Sequence, residues 1–177
     1  MAISSTFLWK NRLFNTGGFM GRGKWFLFCG ILLLIFGAKS VDAAEPVSKS
    51  YFGDKAINGY DTVAYHGDEA IANHKASQGS SDFIVKWKGA KWHFVSAESA
   101  DKFRKNPTQY SPAYNGHCAN ALSLGEGLIK TDGTHWEILE KQLYLFYAAR
   151  GRDRWLDGNW KEYKKVADSA WLKIIND

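Results

Sequence analysis

Along the stretch DFIVKWKGAKWHFVS, Phe83, Val85 and Trp87 alternate with Ile84, Lys86 and Lys88, and the alternation resumes at Trp92 and Phe94 after Gly89. A period of two on both arms predicts a β-hairpin with an aromatic face toward the core. Lys86, Lys91 and His93 fall on the opposite face, where His93 is expected to meet water. HWEILEKQLYLFY predicts a second hairpin, with Trp136 and Ile138 on one arm and Leu143, Leu145 and Tyr147 on the other. Its centre, Glu140-Lys141, lacks the Asn-Gly or Asp-Gly that tight primed turns prefer, so a longer loop is expected.

Helical spacing appears twice. Ser96 is a suitable N-cap for AESADKFRKN, Glu98 suits the first turn, and Asn106 before Pro107 ends the helix. Near the end of the chain, Trp160, Tyr163, Val166, Ala167, Ala170 and Trp171 recur at intervals of three and four, an amphipathic face that Asp157 or Asn159 can cap. Residues 73–82 and 107–127 have loop composition, although ANALSL in the second can form a short helix starting near Ala119. Residues 44–54 form a polar lead-in whose Tyr51 and Phe52 are expected to dock on the core. The pattern as a whole predicts a small α+β domain: two β-hairpins packed with short helices and a C-terminal amphipathic helix.

Charge changes the picture at the N-terminus. The net charge of the 177 residues is +5. Residues 1–43 hold Lys10, Arg12, Arg22, Lys24 and Lys39 against Asp42 alone, so the remainder is nearly balanced. A balanced body offers no phosphate-tracking field, which argues against nucleic acid as a partner. Between Lys24 and Lys39 lies WFLFCGILLLIFGA, an uncharged run shorter than the roughly 20 residues of a bilayer span. A basic stretch, an apolar run and the small residues around Ala43 together describe an export signal. Residues 1–43 are thus expected to be a signal peptide, with an uncleaved membrane anchor through 25–38 as the alternative. The expected address is periplasmic or secreted, with membrane contact only through this leader.

Removal of the leader leaves one cysteine, Cys118, in YNGHCANALSLGEG. A single thiol in an oxidising compartment makes no internal disulfide. Three readings stand: a small hydrophobe in a crowded loop, a ligand or metal donor, or a nucleophile. As a donor it would need imidazoles brought in by folding, and His93 and His117 are the candidates. A soft ion, copper or zinc, suits such a set. Asp61 reads first as a turn cap and second, with Tyr65, as a polar group of a pocket shared with Cys118. His66 is expected to solvate a turn, and His74 and His135 to lie in loops. No HExxH, CxxC or phosphate-loop pattern is present.

Two stretches, AINGYDTVAYH and KWHFVSAESADKFRKNPTQYSPAYNGHCANALSLG, resemble the exported form of the YHS-domain family. The likeness runs through Gly59-Tyr60-Asp61, Asn106-Pro107, Tyr110, and Gly116 to Ala119, and covers roughly residues 55–172. It implies a TRASH-like hairpin-and-helix fold. Metal-binding members would carry cysteines where this chain has Ala64, Val95 and Ser99, so the usual site is missing, and fold alone does not transfer metal binding. The expected function is a small non-enzymatic binding module for a metal ion or small ligand, its pocket between the opening motif and the Cys118 loop. A structural or protein-interaction module without ligand, and a thiol-dependent enzyme using Cys118, are the alternatives.

Overall fold

The computed structural model describes residues 45–177. The export-signal run, the cleavage position at Ala43 and the 25–38 anchor lie outside the described residues. The fold is α+β, with two antiparallel hairpins among six α-helices. The first hairpin pairs β1 (Ser80–Trp87) with β2 (Ala90–Phe94), and the second pairs β3 (His135–Leu139) with β4 (Gln142–Phe146). The helices are α1 (Asp68–Asn73), α2 (Ala97–Lys105), α3 (Pro107–Tyr110), α4 (Ala119–Ser123), α5 (Ala149–Asp157) and α6 (Trp160–Asn176). Among the described residues, no helix is long and apolar enough to cross a membrane.

The first hairpin turns at Lys88-Gly89, both at positive φ, as the period-two pattern requires. Ser96 caps α2 by accepting from the Ser99 amide at 3.1 Å, and α2 stops at Lys105 before the Asn106-Pro107 junction. Phe103 on α2 packs with Trp92 and Phe94 of β2 and Trp87 of β1, ring centroids 5.1–5.6 Å apart. Burying such rings supplies most of this core's stabilisation, since each aromatic removes roughly 150–250 Å² from water.

The second hairpin departs from expectation at its turn. Glu140 and Lys141 stand at φ 49° and 69°, directly between the paired Leu139 and Gln142. A two-residue turn therefore forms without glycine. The reason lies in β4, whose two faces are both buried and hold the register against local strain. Leu143 and Leu145 enter the core with Trp92, Phe103 and Trp136. Tyr144 and Phe146 enter a second core with Leu122, Trp155 and Ala167. Tyr147, expected to share the face of Leu143 and Leu145, is instead 63% exposed beyond the strand's end.

The tail is two helices, not one. Asn159 accepts from the Glu162 amide and caps α6, while Asp157 ends α5. Val166, expected on the buried face, is exposed, because Ala167 alone of the pair reaches the second core. The lead-in is integral to the body at Ser48, which is fully buried. Its amide donates to the Asn115 carbonyl, its carbonyl accepts from Ile57, and its Oγ accepts from the Thr131 amide. Tyr51 and Phe52, expected to dock on the core, project from the following loop at 82% and 96% exposure.

Candidate functional site

Asp61 is fully buried at the start of the opening motif, and all its acceptor capacity is engaged. Oδ1 accepts from the Val63 and Ala64 amides at 2.8 and 3.1 Å, closing the expected turn. Oδ2 accepts from the Val95 amide at 2.9 Å and the Ser99 hydroxyl at 2.6 Å, tying that turn to the junction of β2 and α2. A carboxylate with four donors is a fastener with no lone pair aimed at a ligand. Three of the four donors belong to Ala64, Val95 and Ser99.

Tyr65 is also buried. Its hydroxyl donates to the Gly133 carbonyl at 2.6 Å, and its ring meets Trp136 edge-on at 5.1 Å. Burial, reinforced by Tyr60 and the nearby carboxylates, pushes its phenol well above the ordinary range, so it stays a neutral donor. Neither Asp61 nor Tyr65 faces an open pocket.

His93 corrects the expectation of a solvated strand residue: it is 7% exposed. Residues 54–56 run beside β2, where the Lys91 amide donates to Asp54 and the Ala56 amide to Lys91. Gly79 closes on His93 so tightly that a Cβ there would meet its carbonyl carbon at 2.4 Å. Burial, then the Lys55 ammonium, lower the His93 pKa, with Asp54 opposing. His66 is half-buried, its pKa lowered by burial, and its ring meets Tyr110 at 5.6 Å. His74 is the left-handed cap of α1, stacked flat on Trp136 at 4.4 Å, and His135 lies in β3, not in a loop.

Cys118 and His117 diverge. The Nδ1 of His117 faces the Tyr114 carbonyl at 3.0 Å, its ring lies 6.1 Å from Trp171, and burial lowers its pKa. That hydrogen bond makes Nδ1 the protonated nitrogen of the neutral ring. The anchor for this arrangement is Tyr114, whose hydroxyl donates to Asp168 of α6 at 2.9 Å. Tyr114 and Asn115 both sit at positive φ, an uncommon conformation for non-glycine residues that the Asn115 contacts to Glu45 and Pro46 hold in place.

Cys118 is 3% exposed, and its sulfur caps α4. It accepts from the Ala121 amide at 3.4 Å and from the Tyr147 amide at 3.3 Å, so it pins the end of β4 to the start of α4. No imidazole hydrogen-bonds to it. Among the described residues, no group of three or more His, Cys, Asp or Glu side chains is placed to hold a metal ion. His93, His117 and Cys118 are therefore not gathered into a ligand set: His93 is enclosed by residues 54–56, and His117 is turned to its own backbone.

The pocket expected between the opening motif and the Cys118 loop, with Asp61 and Tyr65 in it, is neither of two cavities that flank Tyr147. One cavity, about 220 Å³, lies between Asn58 of the opening motif and Lys130–Asp132. The other, about 250 Å³, has Cys118 in its wall with Leu124, Ile129, Arg150 and Arg154. Tyr147 is the wall common to both. Sequence reasoning missed the arginines. Arg154 donates to Asn120 Oδ1 at 2.8 Å and Ser123 Oγ at 3.0 Å, and its guanidinium lies 3.8 Å over the Tyr163 ring. Neither arginine joins any of the eight ion pairs among the described residues. Glu126 is the only carboxylate on the cavity wall.

Comparison with family models, with characterised proteins and with solved structures finds no match to this chain.

Proposed function

We propose that this protein is an exported, YHS-like binding module that holds a small anionic ligand in the Cys118 cavity and performs no chemistry on it. The YHS likeness is supported by the convergence of Ala64, Val95 and Ser99 on the Asp61 carboxylate. Export is supported by the basic and apolar pattern of residues 1–43. The single observation that carries the ligand reading is the cavity itself. Arg150 and Arg154, neither in an ion pair among the described residues, line it together with Leu124, Ile129, Ala121 and Tyr147.

An apolar recess with few charged groups at its rim is the usual construction of a ligand site, and the volume of about 250 Å³ suits a small organic anion or a phosphate. Arg154 is held rigid by Asn120 and Ser123, which take both hydrogens of its Nη1, so its remaining N–H groups offer a fixed charged donor edge to a carboxylate or phosphate. Cys118 contributes shape: both its hydrogen bonds run to backbone amides, and its sulfur fixes Tyr147 at the cavity mouth. The metal reading is weaker because Cys118 has no second soft donor beside it. The thiol-enzyme reading is weaker because no base contacts the sulfur.

The test is thermal unfolding of the full-length protein in neutral detergent with acetate, succinate, citrate and phosphate as probes. At least one should raise the midpoint and slow alkylation of Cys118, and Arg150→Gln should remove both effects. If none of the probes changes either quantity, the reading fails.

A further inference from the structure

We propose that the loop from Lys49 to Lys55 is a docking element for an anionic lipid surface, with Phe52 and Tyr51 entering the interface and lysines contacting the headgroups. The Ser50 amide donates to the Lys55 carbonyl at 2.8 Å, and Lys49 bridges to Ala56, so the loop is a closed projection with a fixed base. Its tip carries two aromatic rings at 82% and 96% exposure. Gly53, at φ 107° with open space around its Cβ position, lets the chain reverse beside them. Large apolar side chains this exposed carry a standing solvation cost, and their clustering at one tip marks a contact surface.

Charge decides what the surface fits. Lys49 and Lys55 bracket the tip, and Lys130 Nζ lies 5.3 Å above the Tyr51 ring. Asp54, the only acid in the loop, is neutralised by Lys91 at 3.2 Å. Beside the tip, the cavity of about 220 Å³ is lined by Lys49, Tyr51, Lys130 and Tyr147, and by Asp132, an exposed carboxylate outnumbered by the two lysines. A projecting aromatic tip ringed by lysines matches a lipid interface: the rings sit at headgroup depth and the ammoniums meet phosphates. The cavity would receive one phosphoglycerol headgroup. Two rings are too little area for a stable protein–protein interface, which needs roughly 800 Å² from each partner. This element is separate from the arginine cavity, so it does not depend on the ligand reading above.

The test uses the full-length protein in vesicles of phosphatidylcholine alone, and of phosphatidylcholine mixed with phosphatidylglycerol. The basic residues among 1–43 also favour anionic vesicles, so the readout is local, and Phe52→Ser is the control for it: hydrogen exchange of the amides in residues 49–55, with β2 as an internal control for folding. The expected result is slower exchange of 49–55 in the anionic vesicles only. Phe52→Ser should abolish it, and Lys49→Gln or Lys130→Gln should reduce it roughly fivefold each, the factor for one lysine near an anionic surface. Equal exchange in both vesicle types overturns the proposal, as does protection that survives Phe52→Ser. Soluble glycerol phosphate or polyglutamate giving the same protection without vesicles also overturns it, because the surface would then serve a soluble anion or an acidic chain.

Discussion

Replacing Asp61 with alanine removes the acceptor shared by the amides of Val63, Ala64 and Val95 and by the Ser99 hydroxyl. A buried donor left without a partner costs about 1–3 kcal/mol, and hydrogen bonds to an ionised acceptor lie toward the upper end of net values. Val63 and Ala64 are half-buried and Val95 is exposed, so water can recover some of that cost, and deletion also relieves the desolvation of the carboxylate. The expected net loss is about 3–5 kcal/mol, a large part of the ~5–15 kcal/mol that holds a typical domain folded. Asp61→Asn keeps one acceptor oxygen but turns an amide NH2 toward other donors, so it should cost nearly as much. Ser99→Ala removes one donor with its acceptor still satisfied and should cost only about 1 kcal/mol. Urea denaturation followed by circular dichroism measures all three. An Asp61→Ala loss below about 1 kcal/mol would refute the role of this carboxylate as the fastener between the opening motif and α2.

Other consequences follow from the same geometry. Cys118→Ala orphans the Ala121 and Tyr147 amides and should lower stability by about 1–3 kcal/mol, whereas Cys118→Ser retains an acceptor and should lose less; chemical denaturation separates them. The pKa values of His66, His93 and His117 are all held below 6.5 by burial, so the unfolded chain takes up protons first as pH falls. Stability is therefore full above ~6.5 and declines below it, and the thermal midpoint should drop between about pH 7.5 and pH 5.5. His93→Gln and His117→Gln should each flatten that profile, and a profile unchanged in both variants would contradict the burial of these rings. Lys141→Gly relieves a positive φ of 69° and should stabilise by roughly 1 kcal/mol, measured in urea, without touching the Glu140–Lys161 pair.

The hairpins were legible because alternation is local: Val85 to Trp87 and Trp136 to Leu145 write their own pairing, while the register shift between Ser80 and Ile84 left no mark in it. Ser96 and Asn159 were legible as caps for the same reason. The turn at Glu140-Lys141 was misread because its conformation is imposed by burial on both faces of β4, which no local turn chemistry records. His93 was misread because its cover comes from residues 54–56 and Gly79, remote in sequence and paired only in the fold. Asp61 divides along this line. Its bonds to Val63 and Ala64 follow from turn chemistry, while those to Val95 and Ser99 cross more than 30 positions. At the candidate site, the thiol's role as a helix cap was not among the readings of Cys118, but the short helix after it could be anticipated from ANALSL. Arg150 and Arg154 could not, because α5 reaches the cavity only through the packing of Trp155 into the second core.

The most direct measurement is an NMR titration of the full-length protein with the same four anions, following the Ala121 and Tyr147 amides that donate to the Cys118 sulfur. A saturable shift of both amides with at least one anion, absent in Arg150→Gln, is the expected result. Amides that stay in place for all four, or that shift identically when Arg150 is replaced, would contradict an anion held in this cavity.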